Sequence, residues 1–192
     1  MKNSLKIFTA FLFLSLYLSS QNIFAKGGRA GTPYFIVHVR LAPPGEKGTL
    51  WVDRLQSDGQ SYKTVLSGCP ATGGVSPHPD GNPAIKTPAG THVIWDTTRY
   101  LWYRGGWDTK HRPATYFWKH SLKQTAVAAI HNGYIPGQNS HGCIRTSDEC
   151  AQAIYTAANS VASEASGTSR IPSEDGSKRA ARNFSMVVDI SY

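Results

Sequence analysis

Cysteine, acidic residues and long apolar runs are all scarce in this sequence of 192 residues. Its three cysteines are too few for a small scaffold held together mainly by disulfides. After residue 25 no apolar run reaches the ~20 residues that a membrane-spanning helix needs. Hydrophobic residues make up 40% of the chain and charged residues 17%, which excludes an intrinsically disordered protein. The length favours one globular domain, or two at most.

The first 25 residues have the pattern of a secretory signal peptide. Lys2 and Lys6 precede an apolar run over residues 7–18, and a short segment ending at Ala25 follows. The run is about a dozen residues long, too short for a spanning helix, so cleavage after Ala25 is favoured over an uncleaved anchor. We therefore expect residues 1–25 to be a signal peptide and residues 26–192 to form a single exported domain. Its expected location is the periplasm or cell wall, or outside the cell as a secreted protein.

Basic residues outnumber acidic ones by 20 to 12, which gives a net charge of +8. Without the first 25 residues, 18 basic and 12 acidic residues remain, a charge of +6. An exported protein of this charge is attracted to anionic cell-wall polymers or lipid headgroups. Nucleic acid is not expected as a partner outside the cytoplasm, and no stable membrane span is expected after signal cleavage. The sequence favours no particular oligomeric state.

Short segments rich in β-branched and aromatic residues, separated by turn residues, predict a mainly β domain with some helix. One helix is predicted after Ser147, which can cap it, because apolar residues follow at helical spacing. We expect this helix to end near Gly167 and a loop to cover residues 167–183. A second loop, dense in Gly and Pro, is expected over residues 67–86. The predicted strands cover residues 34–40, 49–53, 61–66, 91–96, 99–104, 116–120, 125–131 and 184–190.

Residues with catalytic potential concentrate between His131 and Arg145, where the sequence is HNGYIPGQNSHGCIR. Cys143 follows His141 by two residues and His131 by twelve, so a histidine could take the proton of its thiol. The positive end of the following helix, Arg145 and a protonated histidine are expected to favour the Cys143 thiolate. The backbone N–H groups of Gly142 and Cys143 could form an oxyanion hole.

Several other interpretations of these residues stay open. A lone cysteine is more often a small buried hydrophobe than a nucleophile. The two motif histidines and Cys143, together with Cys150, could ligate zinc, but their spacing fits no common zinc pattern. Cys69 and Cys150 could form a disulfide that leaves Cys143 free, although sequence alone does not give the pairing. Neither a metal nor another cofactor is expected. The remaining histidines are interpreted as surface or core residues: His38, His78, His92, His111 and His120.

The motif residues resemble those of the YkuD-like L,D-transpeptidase catalytic domain family of peptidoglycan enzymes. Ser140–Arg145, SHGCIR, matches the second half of the family motif at every position, and residues 130–133, IHNG, match its first half. Lys86–His92, KTPAGTH, is similar to the Thr-Pro-x-Gly turn that precedes a strand in these domains. One departure is the loop before Ser140, which is shorter than in the longer members of the family. Its eight residues can still span about 26 Å when extended.

The resemblance implies a YkuD-like β-sandwich or barrel with one helix after the catalytic cysteine loop. It implies that Cys143 is the nucleophile and that His131 is the general base, oriented by a backbone carbonyl such as that of Asn132. It also implies that Arg145 binds a substrate carboxylate or braces the loop. The remaining motif residues would shape the site or stabilise the oxyanion: Ser140, His141 and Gly142.

The activity implied by the resemblance is cysteine-dependent acyl transfer on peptidoglycan stem peptides. The thiolate would attack the carbonyl of the L-centred third residue of a donor tetrapeptide, and D-alanine would leave. An amine would then take the acyl group, giving a cross-link between the third residues of two stems or exchange of a D-amino acid. Water as acceptor would make the protein an L,D-carboxypeptidase, and a non-catalytic wall-binding module is a further alternative. The intact Cys143 and His131 argue against that last alternative.

Overall fold

The computed structural model describes residues 31–43, 47–74, 86–103, 105–119, 127–134 and 140–192. Within these residues the chain forms thirteen strands and one helix, so the prediction of a mainly β fold with some helix is confirmed. The signal-peptide prediction over residues 1–25 lies outside the described residues, as do His78 and His120. A search of the described residues finds no helix with the length and apolar character that crossing a membrane requires.

A five-stranded sheet brings the two ends of the described chain together. Its strand order is β3-β2-β1-β13-β4, with β1 parallel to β13 and antiparallel to β2. Alternate residues of β1, among them Val37 and Val39, are buried because successive strand side chains point to opposite faces. The five strands are β1 (Phe35–Arg40), β2 (Gly48–Leu55), β3 (Tyr62–Ala71), β4 (Gly90–Val93) and β13 (Met186–Ser191).

A second sheet of four strands has the order β10-β9-β8-β5. All five residues of β9 are buried, as expected for a central strand covered on both faces. β10 runs parallel to β9 and pairs Arg145 with His131, so the two halves of the sequence motif meet side by side. The four strands are β5 (Asp96–Thr98), β8 (Ala114–Lys119), β9 (Val127–His131) and β10 (Ile144–Arg145).

The helix α1 (Asp148–Ser160) begins where the sequence predicts, because the Ser147 side chain caps it by accepting the Cys150 N–H at 3.3 Å. Ile154 and Ala158 are completely buried and join the core that the two sheets share. A disulfide joins Cys150 to Cys69, which settles the pairing that the sequence left open and ties α1 to β3.

Four predicted segments are wrong in extent. The helix ends at Ser160 instead of near Gly167, and the next residues pair as an antiparallel hairpin, β11 (Ala162–Thr168) with β12 (Ala180–Phe184). The predicted loop over residues 167–183 is therefore partly a strand, and Arg179 beside it forms an ion pair with Asp96 at 2.9 Å. Residues 67–71 of the other predicted loop belong to β3, and the predicted strand over residues 91–96 is divided between two sheets.

A small hairpin of β6 (Leu101–Tyr103) and β7 (Gly106–Asp108) lies beside the second sheet. Trp102 of this hairpin is buried, and its backbone N–H donates to the Tyr116 hydroxyl oxygen at 2.6 Å. Together with parts of β8 and β9 the hairpin forms a second apolar cluster. The buried members of this cluster are Leu101, Trp102, Ala114, Tyr116, Val127, Ala129, Cys143 and Ile171.

Candidate functional site

The parallel pairing of β9 and β10 places the two motif residues of greatest chemical interest on one face of the sheet. His131 is the last residue of β9, and Cys143 directly precedes β10. Because Ile144 pairs with Ile130 in parallel, Cys143 lies beside Ala129 and its side chain shares a face with that of His131. The parallel pairing and the alternation of side chains thus place on one face two residues that are twelve positions apart in sequence.

The His131 imidazole is 3% exposed and has a defined tautomer. Its Nδ1 lies 2.5 Å from the Asn132 carbonyl oxygen, which can only accept, so Nδ1 carries the proton. Burial, together with the charges of His111 and Arg145, lowers the pKa of His131 to about 3 against the opposing effects of the Asn132 hydrogen bond and the Asp108 charge. Nε2 is therefore an unprotonated acceptor at neutral pH, which is the state a general base requires.

Cys143 is also buried, with 8% of its surface exposed, and it is the free cysteine of the protein's three. Burial raises the pKa of the Cys143 thiol, although a backbone hydrogen bond from Ala129 and the charge of Arg145 both lower it. The charge of Arg145 thus favours the thiolate, as expected from the sequence, but burial has the larger effect and the pKa is raised overall. Desolvation in the apolar cluster outweighs those charges, so a neutral thiol shares a sheet face with a neutral imidazole.

Ser140 and Gly142 set the shape of the loop before Cys143. The Ser140 hydroxyl is hydrogen-bonded to the Cys143 carbonyl and accepts the Gly142 N–H at 3.2 Å. The Ser140 N–H donates to the Gly73 carbonyl at 3.2 Å. Gly142 has a φ of 106°, a conformation that favours glycine. The position of Cys143 is therefore fixed by the two residues that surround His141 in the motif, and His141 itself is half-buried.

Thr87, from the Thr-Pro-x-Gly segment, supports this loop from the other side. Its side chain is completely buried, donates a hydrogen bond to the Gly142 carbonyl at 3.1 Å and accepts the Gly74 N–H at 2.7 Å. Sequence analysis recognised the segment but missed this contact, because nothing local indicates which distant carbonyl the hydroxyl reaches. His92 stays at its own turn, with Nε2 3.2 Å from the Pro88 carbonyl.

Arg145 is held in place by hydrogen bonds of its backbone. Its N–H donates to the Thr72 carbonyl at 2.8 Å, and the Thr72 N–H donates back at 3.0 Å. The Arg145 Nε is buried and has no hydrogen-bond partner among the residues that the structure describes. The Asn132 side chain already has a partner, because its Oδ1 accepts the Arg112 N–H at 2.8 Å.

His111 belongs to this site, although the sequence suggested only a surface or core histidine. Its ring meets the His131 ring edge-on, with centroids 5.0 Å apart and an interplanar angle of 84°. Its Nδ1 lies 2.8 Å from Asp108 Oδ2. The spacing of aspartate and histidine three residues apart is too common to have identified the pair. By contrast His38, as predicted, is structural: it pairs with Asp53 at 3.1 Å and stacks on Trp51.

The zinc alternative is wrong in the form considered, because Cys150 is bonded to Cys69 and has no free thiolate. Across the described ranges there is no group of three or more His, Cys, Asp or Glu side chains that could hold a metal ion. The chemistry that the arrangement supports is proton transfer from a thiol to an imidazole, followed by nucleophilic attack.

Comparison with known proteins gives one match. The sequence model of the L,D-transpeptidase catalytic domain family, YkuD, matches residues 46–171, more than half of the chain. The match includes both halves of the motif, the Thr-Pro-x-Gly segment, the Asp108–His111 pair and α1. No curated protein and no solved structure matches the chain.

Proposed function

The chain belongs to the L,D-transpeptidase catalytic domain family, and from this premise we propose that it is a peptidoglycan L,D-transpeptidase with Cys143 as nucleophile and His131 as general base. The observation that carries the proposal is the buried neutral thiol on the same sheet face as an imidazole whose tautomer the Asn132 carbonyl fixes. In that tautomer Nε2 is the atom that can accept the thiol proton.

In the first half of the reaction the thiol proton moves to His131 Nε2 while Sγ attacks the carbonyl carbon of the L-centred third residue of a tetrapeptide stem. The tetrahedral intermediate carries an oxyanion, and the Cys143 N–H is the backbone donor for it. The Gly142 N–H, which the sequence also suggested, donates to Ser140 in the resting site, so its use would require that bond to break. Collapse of the intermediate breaks the C–N bond, and His131 returns the proton to the departing D-alanine amine.

In the second half an acceptor amine attacks the thioester and gives its proton to His131. The new C–N bond forms, the C–S bond breaks and the Cys143 thiol regains its proton. An amine on a second stem gives a cross-link, and a free D-amino acid gives exchange. Water in place of the amine gives a carboxypeptidase with the same residues, so the acceptor subsite decides between the two outcomes.

Arg145 is the proposed contact for a substrate carboxylate. Its backbone is fixed by Thr72, its Nε has no partner in the described part of the chain, and its charge acts on both Cys143 and His131. A carboxylate bound there would lie next to the reacting thiol and would use a donor that is otherwise unsatisfied. An exported protein, with residues 1–25 removed as a signal peptide, would meet such substrates in the periplasm or cell wall.

Mass spectrometry of purified protein incubated with disaccharide-tetrapeptides tests the proposal. We expect loss of D-alanine together with cross-linked dimers for the wild type, and neither for Cys143→Ala. His38→Gln is the matched histidine control and should behave like the wild type. D-alanine loss with tripeptide alone would establish the carboxypeptidase. Absence of both turnover and an acyl-enzyme mass would overturn the proposal, and stem binding that survives Cys143→Ala would then favour a binding module.

A further inference from the structure

Beside His131 lies a second, partly exposed histidine that the proposed mechanism does not use. The His111 side chain is 29% exposed and that of its partner Asp108 is 31% exposed, whereas His131 is almost completely buried. The edge-on contact of the two rings, with centroids 5.0 Å apart, makes His111 the ring in direct contact with the proposed base. His111 is therefore on the solvent side of His131.

His111 is held in this place by several independent contacts. The ring packs on Gly133, where a Cβ atom would lie 2.7 Å from the nearest ring atom, so only glycine leaves room for it. The His111 carbonyl accepts the Leu101 N–H at 2.8 Å. The next residue, Arg112, donates its N–H to the side chain of Asn132, the residue whose carbonyl orients His131. Residues 111–112 thus place the His111 ring and also contact Asn132, the residue that orients His131.

We propose that His111, oriented by Asp108, is a positioning residue for the transpeptidase reaction: it packs edge-on against His131 and fixes the ring plane in which that base receives the thiol proton. This proposal deepens the proposed function and rests on it for its catalytic meaning. The placement of the two rings does not depend on that function.

The charges around the pair favour a neutral His131. Partial burial raises the pKa of Asp108, but the hydrogen bond and charge of His111, with the N–H and charge of Lys110, outweigh burial and leave the pKa lowered. Asp108 is therefore a carboxylate that holds the His111 ring through the contact with Nδ1. The groups that act on His131 are His111 and Arg145, which disfavour its protonation, and Asp108, which weakly favours it. Cys143 is neutral and adds no charge.

NMR titration of the histidine side chains in the free protein tests the proposal without any substrate. In the wild type we expect His131 to remain neutral to about pH 3. His111→Gln removes a positive charge about 5 Å away and should raise the His131 midpoint by roughly one pH unit. His38→Gln, which removes a similarly exposed histidine paired with Asp53, should leave the His131 midpoint unchanged. An unchanged midpoint in folded His111→Gln protein would overturn the proposal.

Asp108→Asn is the second variant, because it leaves Gly133 in place and changes only the partner of the ring. It should loosen the orientation of the His111 ring and weaken the nuclear Overhauser contact between the His111 and His131 rings, and an unchanged contact would show that Asp108 does not orient His111. With disaccharide-tetrapeptides, the acid limb of kcat/KM should move to higher pH in His111→Gln but not in His38→Gln. Normal titration shifts without any turnover in the wild type would refute the proposed function while leaving the pairing of the rings intact.

Discussion

Reduction of the Cys69–Cys150 disulfide should destabilise the fold by an amount that follows from the chain length it closes. The two cysteines are 81 positions apart. For a loop of that length the chain-entropy relation gives a stabilisation of about 4.5 kcal/mol at room temperature. This is a large part of the 5–15 kcal/mol by which domains are typically stable. The reduced protein should therefore be close to the limit of folding.

Urea unfolding followed by tryptophan fluorescence measures this effect, with five tryptophans as reporters. The protein carries Cys143→Ala so that no free thiol can exchange with the disulfide, and it is compared before and after reduction. Reduction removes only the covalent link, whereas substituting the cysteines would also remove buried sulfur atoms. We expect the free energy of unfolding to fall by about 4 to 5 kcal/mol.

Thiol labelling provides the control for this experiment. Denatured wild-type protein should take up one alkylating group before reduction and three after it. Three groups before reduction would show that the link does not form. If the link forms but its reduction lowers the free energy of unfolding by less than about 1 kcal/mol, the entropic reasoning fails for this chain.

Three further predictions concern acid stability, the cysteine loop and the core. Between pH 7 and pH 5 the free energy of unfolding of the wild type, measured in urea, should fall by about 2 kcal/mol more than that of His131→Asn. The reason is that the histidine of the unfolded chain gains a proton below about pH 6.5, whereas the folded one stays neutral to about pH 3. Equal losses in the two proteins would contradict the buried neutral imidazole. Thr87→Val should lower the free energy of unfolding by about 1–3 kcal/mol in the same assay, because it leaves the buried Gly74 N–H and Gly142 carbonyl without their partner. It should also slow iodoacetamide labelling of Cys143 or turnover. The exposed control Thr91→Val should change the free energy of unfolding by less than about 0.5 kcal/mol. Ile154→Ala should lower the free energy of unfolding by about 2–5 kcal/mol, because the side chain is completely buried in the main core; Val65→Ala, on a side chain that is 46% exposed, should have less than a quarter of that effect.

The parts of the fold that sequence analysis predicted are those with a local cause. Ser147 marks the start of α1 because a cap bonds to the backbone three residues away. The strand β9 was visible as an apolar run. The hairpin of β11 and β12 was not, because residues Ala162–Thr168 are mostly small and polar and form a strand only through pairing with β12, beyond the intervening loop. The two-residue strand β10 has no pattern of its own and exists because it lies beside β9.

The residues of the candidate site were likewise predictable where the signal in the sequence is local and not where a role depends on distant contacts. Cys143 and His131 stand out because the motif around them is contiguous in sequence, and the strand register then brings them together. Thr87 and His111 were missed as site residues because their roles depend on which distant carbonyl or ring they meet. The raised pKa of the Cys143 thiol could not be predicted for a related reason. Sequence shows the nearby charges, but desolvation depends on packing around the sulfur, and here desolvation has the larger effect.

That neutral resting state has a consequence for the proposed role of Cys143 in a protein that also carries a disulfide. Thiolates, and not thiols, attack disulfides and react with small oxidants, so a permanently ionised Cys143 would threaten both itself and the Cys69–Cys150 link. A buried thiol whose pKa is raised avoids this exchange, while the unprotonated Nε2 of His131 stays ready to remove the proton. The nucleophile then forms only when a carbonyl substrate fills the site and the developing negative charge passes from sulfur to an oxyanion that backbone N–H groups can stabilise. Burial thus raises the energy of the free thiolate without preventing its use in the transition state, which is the combination that the proposed acyl transfer requires.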